Sequence, residues 1–150
     1  MTEILFYHLQ RQPLEAVLPA LLEKTLERGW RAVVPVSTQE RATALDDHLW
    51  PYRDDAFLPH GLAGEPDAAS QPVVLTPGGG NPNDAAVRFL VDGAPLPEDL
   101  APYDRVVLLF DGNDPDALDG ARAQWRRAKS EGLAATYWQQ DERGRWAKKA

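Results

Sequence analysis

Apolar residues recur along this chain at two spacings, and their alternation sketches an architecture before any chemistry is considered. Glu3-Ile4-Leu5-Phe6-Tyr7-His8-Leu9 is a short run rich in aromatic and branched residues that Gln12-Pro13 ends, which predicts a strand. Beyond it the spacing changes. Val17, Leu18, Leu21, Leu22, Thr25 and Leu26 recur at three and four residues until Gly29, so a helix follows with Pro13 in its first turn and Pro19 placed to shift or kink it. Trp30 to Val36 predicts a second strand, and Ser37 or Thr38 can cap a second helix, with Glu40 in its first turn, that ends near Trp50-Pro51. Strand, helix, strand, helix is the order of a parallel sheet covered by helices.

The middle is less regular. Residues 51–72 carry many Pro, Gly and Asp; Val73-Val74-Leu75 predicts a short strand, and the stretch from Thr76 to Asp84 a loop. Ala86 to Val91 and Arg105 to Phe110 predict two more strands, separated by a Pro-rich link from Gly93 to Pro102. Asp114-Pro115 then opens a helix to about Glu131, Gly132 terminates it, and Leu133 to Trp138 forms a last strand. Gln139 to Ala150 is a polar basic tail. With no internal repeat and no dividing linker, residues 1–150 form one α/β domain with a mostly parallel sheet.

Composition sharpens this picture by exclusion. At 150 residues the chain fits one domain, and 43% apolar with 26% charged residues fits a globular protein rather than a disordered or collagenous one. Without cysteine there is no disulfide framework, zinc-thiolate site, iron–sulfur cluster or thiol nucleophile. The longest hydrocarbon run, Val106 to Phe110, is far short of the ~20 residues that span a bilayer. Met1-Thr2-Glu3-Ile4 lacks the basic and apolar regions of a signal peptide, so a cytoplasmic location is expected. Charge is unevenly spread: residues 1–120 hold 8 Lys+Arg against 20 Asp+Glu, whereas residues 121–150 hold 8 against 3. An acidic body that ends in a basic segment is a poor wrapper of duplex DNA but leaves room for a local patch that takes an acidic ligand.

Tests for catalytic chemistry fail. A P-loop ends in Lys-Ser/Thr, but Gly78-Gly79-Gly80 runs into Asn81-Pro82-Asn83-Asp84, and the dinucleotide fingerprint is missing after the first strand. His8, His48 and His60 are not spaced as metal ligands, and no GxSxG elbow is present. His60, in the stretch Phe57 to Glu65, is a single imidazole beside a carboxylate that could serve as an acid or base, but a histidine hydrogen-bonded inside an ordered loop is the stronger reading. Asp111-Gly112-Asn113-Asp114 lies where open α/β sheets bind ligands, and turn and N-cap chemistry also explains it. No cofactor and no metal is expected.

Two surface constellations remain. At about 100° per residue, the helix opened by Asp114 places Ala117, Ala121 and Ala128 on one side, small enough to lie close against a sheet. Trp125 and Leu118 border that stripe, and Arg122, Lys129 and Arg126 follow round the cylinder. An aromatic flanked by cations suits a ligand that is acidic and carries a bulky apolar group. The same pattern also describes a solvated basic face with Trp125 half-buried. The second cluster, Trp50-Pro51-Tyr52 followed by Phe57-Leu58-Pro59-His60, has the composition of an interface hot spot or of a cover for a sheet edge.

Several of these pieces together resemble the chi subunit family of bacterial DNA polymerase III. They are Phe6-Tyr7-His8-Leu9; Leu45-Asp46-Asp47-His48-Leu49-Trp50 continuing through Phe57-Leu58-Pro59-His60-Gly61-Leu62-Ala63-Gly64-Glu65; Asn83-Asp84; Arg105-Val106-Val107 leading to Asp111-Gly112; and Ala121-Arg122-Ala123-Gln124-Trp125-Arg126. The resemblance runs essentially end to end, and its Trp-to-Phe-Leu-Pro-His segment is the specific part. It implies a single three-layer α/β/α Rossmann-like domain without a nucleotide site, acting as a non-catalytic clamp-loader accessory subunit. That subunit would grip the acidic, phenylalanine-ended C-terminal tail of single-stranded DNA-binding protein (SSB), and so touch single-stranded DNA only indirectly. The family's arginine and aromatic-basic pair fall on Arg122, Trp125 and Arg126. A further basic position one turn earlier is Leu118 here, so the grip would be weaker or rely on Lys129. Trp50 and Phe57, with Pro59 and His60 alongside, match the surface that binds the psi subunit or a helicase. No membrane is involved. The rival readings are a nucleotide-binding α/β enzyme using the Gly78–Asp84 loop and the Asp111 crevice, and direct single-stranded DNA binding through the basic C-terminal segment with Trp138 and Trp146 stacking on bases.

Overall fold

The computed structural model of the chain describes residues 2–10, 12–49, 61–62, 71–77, 80–94, 96–97 and 99–150. Among them, β1 (Glu3–Leu9), β2 (Ala32–Pro35), β3 (Gly61–Leu62), β4 (Val73–Thr76), β5 (Val87–Leu90), β6 (Arg105–Asp111), β7 (Ala134–Gln140) and β8 (Trp146–Lys148) form one sheet. Its order is β3-β4-β2-β5-β6-β1-β7-β8, parallel throughout except for the last pair.

Alternation along β1 sorts the two faces. Leu9 joins a buried cluster with Val17, Leu18, Leu21 and Leu22 of α1 (Leu14–Glu27) and with Ala42 and Leu45 of α2 (Gln39–Leu49). Ile4 and Phe6 point the other way, under Ala121 and Ala128 of α3 (Pro115–Ser130). The three layers are therefore α1 and α2, the sheet, and α3. Each fully buried Leu or Phe contributes on the order of 1.5–3 kcal/mol, so the two clusters dominate the stability of the fold. The only buried residues of α3 are alanines, which lets its backbone sit close to the sheet, with Leu118 and Trp125 packing part-buried against the same core.

Local chemistry sets the ends of these elements. Thr38 caps α2, its Oγ1 accepting the Arg41 amide at 3.1 Å. Asp114 caps α3, its carboxylate accepting the Asp116 amide at 3.0 Å with Pro115 at the first helical position. After α3, Gly132 has a φ of +72°, a turn that residues with a Cβ resist. α1 continues through Pro19, which is buried in the core and, lacking an N–H, cannot donate the helical bond to the Glu15 carbonyl.

The C-terminal segment differs from the expected tail. β7 continues to Gln140, and the chain turns back at Asp141, whose Oδ1 accepts the amides of Arg143 and Arg145 at 2.9 Å each, so that Trp146–Lys148 adds an antiparallel edge strand. These backbone donors, that of Arg145 above all, hold the Asp141 carboxyl below its usual range. The short strand Gly61–Leu62 is also additional to the expected elements.

Candidate functional site

The β1–β7 and β1–β6 registers bring four rings to the α3 face: Phe6 pairs with Tyr137, and His8 pairs with Phe110. Trp125, reaching down from α3, completes the group. Its ring meets Phe6 edge-on with centroids 5.2 Å apart and Tyr137 edge-on at 6.0 Å. Tyr137 in turn stands edge-on to His8 at 5.8 Å, and His8 lies 5.1 Å from Phe110. Edge-to-face contacts of this kind fix ring orientations as well as filling space. The result is an aromatic wall along the seam between α3 and β7, half-buried at Trp125 and Tyr137.

His8 is anchored through one ring nitrogen. Its Nδ1 lies 2.5 Å from the Tyr137 hydroxyl, while its Nε2 is buried with no hydrogen-bond partner among the described residues and faces Gly112. A Cβ at Gly112 would come within 1.8 Å of that nitrogen, so glycine is required there for the close approach. Burial, reinforced by the positive charge of Arg122 and opposed by Asp111, lowers the His8 pKa, which favours a neutral ring. Burial raises the Tyr137 pKa, with Arg122 pulling against it. Arg122 is thus within electrostatic reach of both.

The cations line the outer side of this wall. Lys129 Nζ sits 4.8 Å from the centre of the Trp125 ring, a cation–π contact one helical turn along. Arg122 is 63% exposed at its side chain, and among the described residues its only ion pair is a 3.8 Å contact with Asp119, itself 77% exposed, so its donors are open to a ligand. Arg126 is exposed and makes no ion pair among the described residues. Arg127, between them in sequence, is tied down instead: it donates to the Leu96 and Pro97 carbonyls at 2.9 and 3.1 Å and to Glu131 at 2.7 Å. Leu118, where the resemblance expects a cation, packs against the α3-side core. The structure brings Arg122, Trp125, Arg126 and Lys129 to one surface and adds three residues that the helical pattern could not supply, His8, Phe110 and Tyr137. The signal available for them was strand alternation, which puts Phe6 and His8 on one side once β1, β6 and β7 are known to be neighbours.

Comparison with known proteins bears on what this surface serves. The family model for the DNA polymerase III chi subunit, HolC, matches residues 1–136. The chain belongs to that family. A DNA polymerase III subunit chi of Pseudomonas aeruginosa is 27% identical over 135 residues, which cover 88% of this chain and 92% of the relative. A probable DNA polymerase III subunit chi of Rickettsia prowazekii is 28% identical over 101 residues, covering 67% of this chain and 59% of the relative's own length. As a member of the chi family the chain is a replication subunit.

The chi-family chain also carries the crevice that open α/β sheets offer to nucleotides, at the C-terminal ends of β1, β5 and β6 between the starts of α1 and α3. This cleft of about 770 Å³ is lined by Glu15, Asp92, Asp111, Asp114 and Asp116, with no Lys or Arg among its described residues. Such a rim repels phosphate. Asp111 and Asp114 are spent on turn and cap bonds to the amides of Asn113 and Asp116, and Arg41 ties Asp92 and Glu15 together at 2.8 and 3.1 Å. The described part of the glycine-rich loop lies at the opposite end of the sheet. Asn83 there donates to the Ala32 and Gln71 carbonyls at 3.0 Å, joining the starts of β2 and β4, and Asn81 braces Ala85. No group of His, Asp or Glu that could hold a metal occurs among the described residues, and no described helix is long and apolar enough to cross a membrane. Trp50, Phe57, Pro59 and His60 lie outside the described residues.

Proposed function

We propose that this chi-family subunit grips the acidic, aromatic-ended C-terminal tail of SSB on the seam between α3 and β7, linking the clamp loader to SSB-coated template without an active site of its own. The observation that carries the reading is the pairing of unengaged cations with an aromatic wall in an otherwise acidic protein. Arg122 and Arg126 have free donors for carboxylates, and charge-assisted bonds to a guanidinium are the strong, oriented kind. Trp125 and Tyr137 offer edges and faces for a terminal ring, and Lys129 adds positive charge directly over Trp125. Steering follows from the same layout, because an acidic tail is repelled by residues 1–120 and attracted by 121–150.

The test is a titration of a fluorescent peptide carrying the host's SSB tail, followed by anisotropy. A bond between a charged pair contributes roughly 1.5–3 kcal/mol, so Arg122→Ala is expected to weaken binding by about ten- to hundredfold, and Arg122→Glu to abolish it. Circular dichroism should show both variants folded, since the Arg122–Asp119 contact is an exposed pair worth little. Wild-type affinity in Arg122→Glu would overturn the reading. Trp50, Phe57, Pro59 and His60 are the surface we assign to a second partner, a psi-like subunit or a helicase. Paired Trp50→Ala and Phe57→Ala changes should lose that partner in pull-down while keeping the tail.

A further inference from the structure

On the face opposite α3, α1 lies against β2 and β6 and α2 against β3 and β4, which leaves β7 and β8 without a helix over them among the described residues. The sequence puts rings there. Tyr7 pairs directly with Trp138 across β1 and β7, their planes within 17° of parallel and their centroids 6.3 Å apart. Trp138 Nε1 donates to Thr136 Oγ1 at 2.8 Å, which satisfies the indole's polar edge along its own strand. Trp146 of β8 stands edge-on to Tyr7 at 4.8 Å and closes one side. Tyr7 and Trp146 pack on the α1-side core, whereas Trp138 belongs to neither buried cluster and is only half-buried.

Cations flank this floor on both sides. Lys148, exposed, is the cross-strand neighbour of Trp138. On the other side Arg28, exposed, and Arg105 both lie over the Trp30 ring, at 5.5 and 5.1 Å, with Arg105 also paired to Glu3. The charges that reach the Tyr7 phenol are Arg105, Glu3 and Arg28, two positive and one negative.

We infer that this floor binds single-stranded nucleic acid, with a base stacked on Trp138, which Tyr7 backs from the core side, and the backbone running between Arg28 and Lys148. Every base presents a π-face, so near-parallel rings on an open sheet flanked by cations recognise unpaired bases without reading sequence. Duplex DNA hides those faces and meets the acidic body, which favours the single strand. Trp138 and Tyr137 project from opposite faces of β7, so this site is separate from the α3 seam and stands whether or not a peptide binds there.

The experiment is anisotropy of a fluorescein-labelled oligothymidylate titrated with the full chain at low salt (~50 mM), where counterion release favours binding. Saturable binding is expected, with quenching of tryptophan fluorescence. Trp138→Phe should retain it, because a stacking ring remains. Trp138→Leu keeps an apolar side chain without the ring and should weaken it by roughly tenfold. Lys148→Glu should weaken binding and flatten its salt dependence, while Arg122→Ala should leave it unchanged. Thermal melts of the Leu variant establish that it is folded. Absence of saturable binding by the wild type, or equal affinity in Trp138→Leu, would overturn the inference. So would a wild-type dimer that Trp138→Leu converts to monomer, because the floor would then be a contact between copies.

Discussion

Replacing Trp125 with alanine separates the two roles this ring has in the account. Its loss removes edge contacts with Phe6 at 5.2 Å and Tyr137 at 6.0 Å and the Lys129 cation at 4.8 Å. A fully buried Trp→Ala change costs about 3–5 kcal/mol, but Trp125 keeps part of its surface in water, so about 2–3 kcal/mol is expected. The aromatic pairs supply ~0.5–1.5 kcal/mol each of that, and the exposed cation–π contact ~0.5–1. For a domain of this size the melting temperature should fall by roughly 5–10 °C. Urea unfolding of Trp125→Ala and Trp125→Phe measures it, and Phe, which keeps an edge for both neighbours, should recover more than half of the loss. A loss below ~0.5 kcal/mol, the range of an inert surface change, would refute the packing described at this seam.

Two further outcomes follow from His8. Gly112→Ala places a methyl group within 1.8 Å of Nε2 and 2.1 Å of Cδ2, so the ring must leave Tyr137. We expect ~1–3 kcal/mol of destabilisation in urea unfolding, and unchanged stability would contradict the close approach. The second outcome concerns pH. The folded His8 pKa is lowered, first by burial and then by Arg122. Below the unfolded value, about 6.5, the unfolded chain takes up a proton that the folded one refuses, so stability is full above that pH and declines as pH falls through the window beneath it. Comparing wild type with His8→Asn at pH ~7.5 and ~5.5 isolates the effect, since carboxylates titrate mainly lower. An identical pH slope in the two proteins would show that His8 carries no such linkage.

Much of this architecture was legible because the relevant patterns are local. The heptad-like run from Val17 to Leu26 and the alanine stripe on α3 gave helices and their buried faces, and Asp114-Pro115 and Gly132 gave α3 its ends. The cation band Arg122, Arg126 and Lys129 came from helical spacing alone. Its aromatic counterpart did not, because Phe110 and Tyr137 join His8 only through the β6-β1-β7 strand order, which pairs residues more than a hundred positions apart. The C-terminal hairpin was missed for a different reason. Asp141-Glu142-Arg143-Gly144 is a turn signal, but the charged, polar stretch around it outweighed the two short apolar positions, Trp146 and Ala147, that complete β8. Arg127 shows the converse limit: spacing cannot tell a cation free for a ligand from one fastened to the Leu96 and Pro97 carbonyls.

The most direct test of the central claim is an amide and indole NMR map of the protein titrated with the SSB tail peptide. The account predicts that shifts concentrate at Arg122, Trp125, Arg126 and Lys129, including the Trp125 indole, and across the seam at Tyr137 and His8. Shifts confined to the acidic crevice around Asp92 and Asp114, or to the Trp138 face, would contradict it.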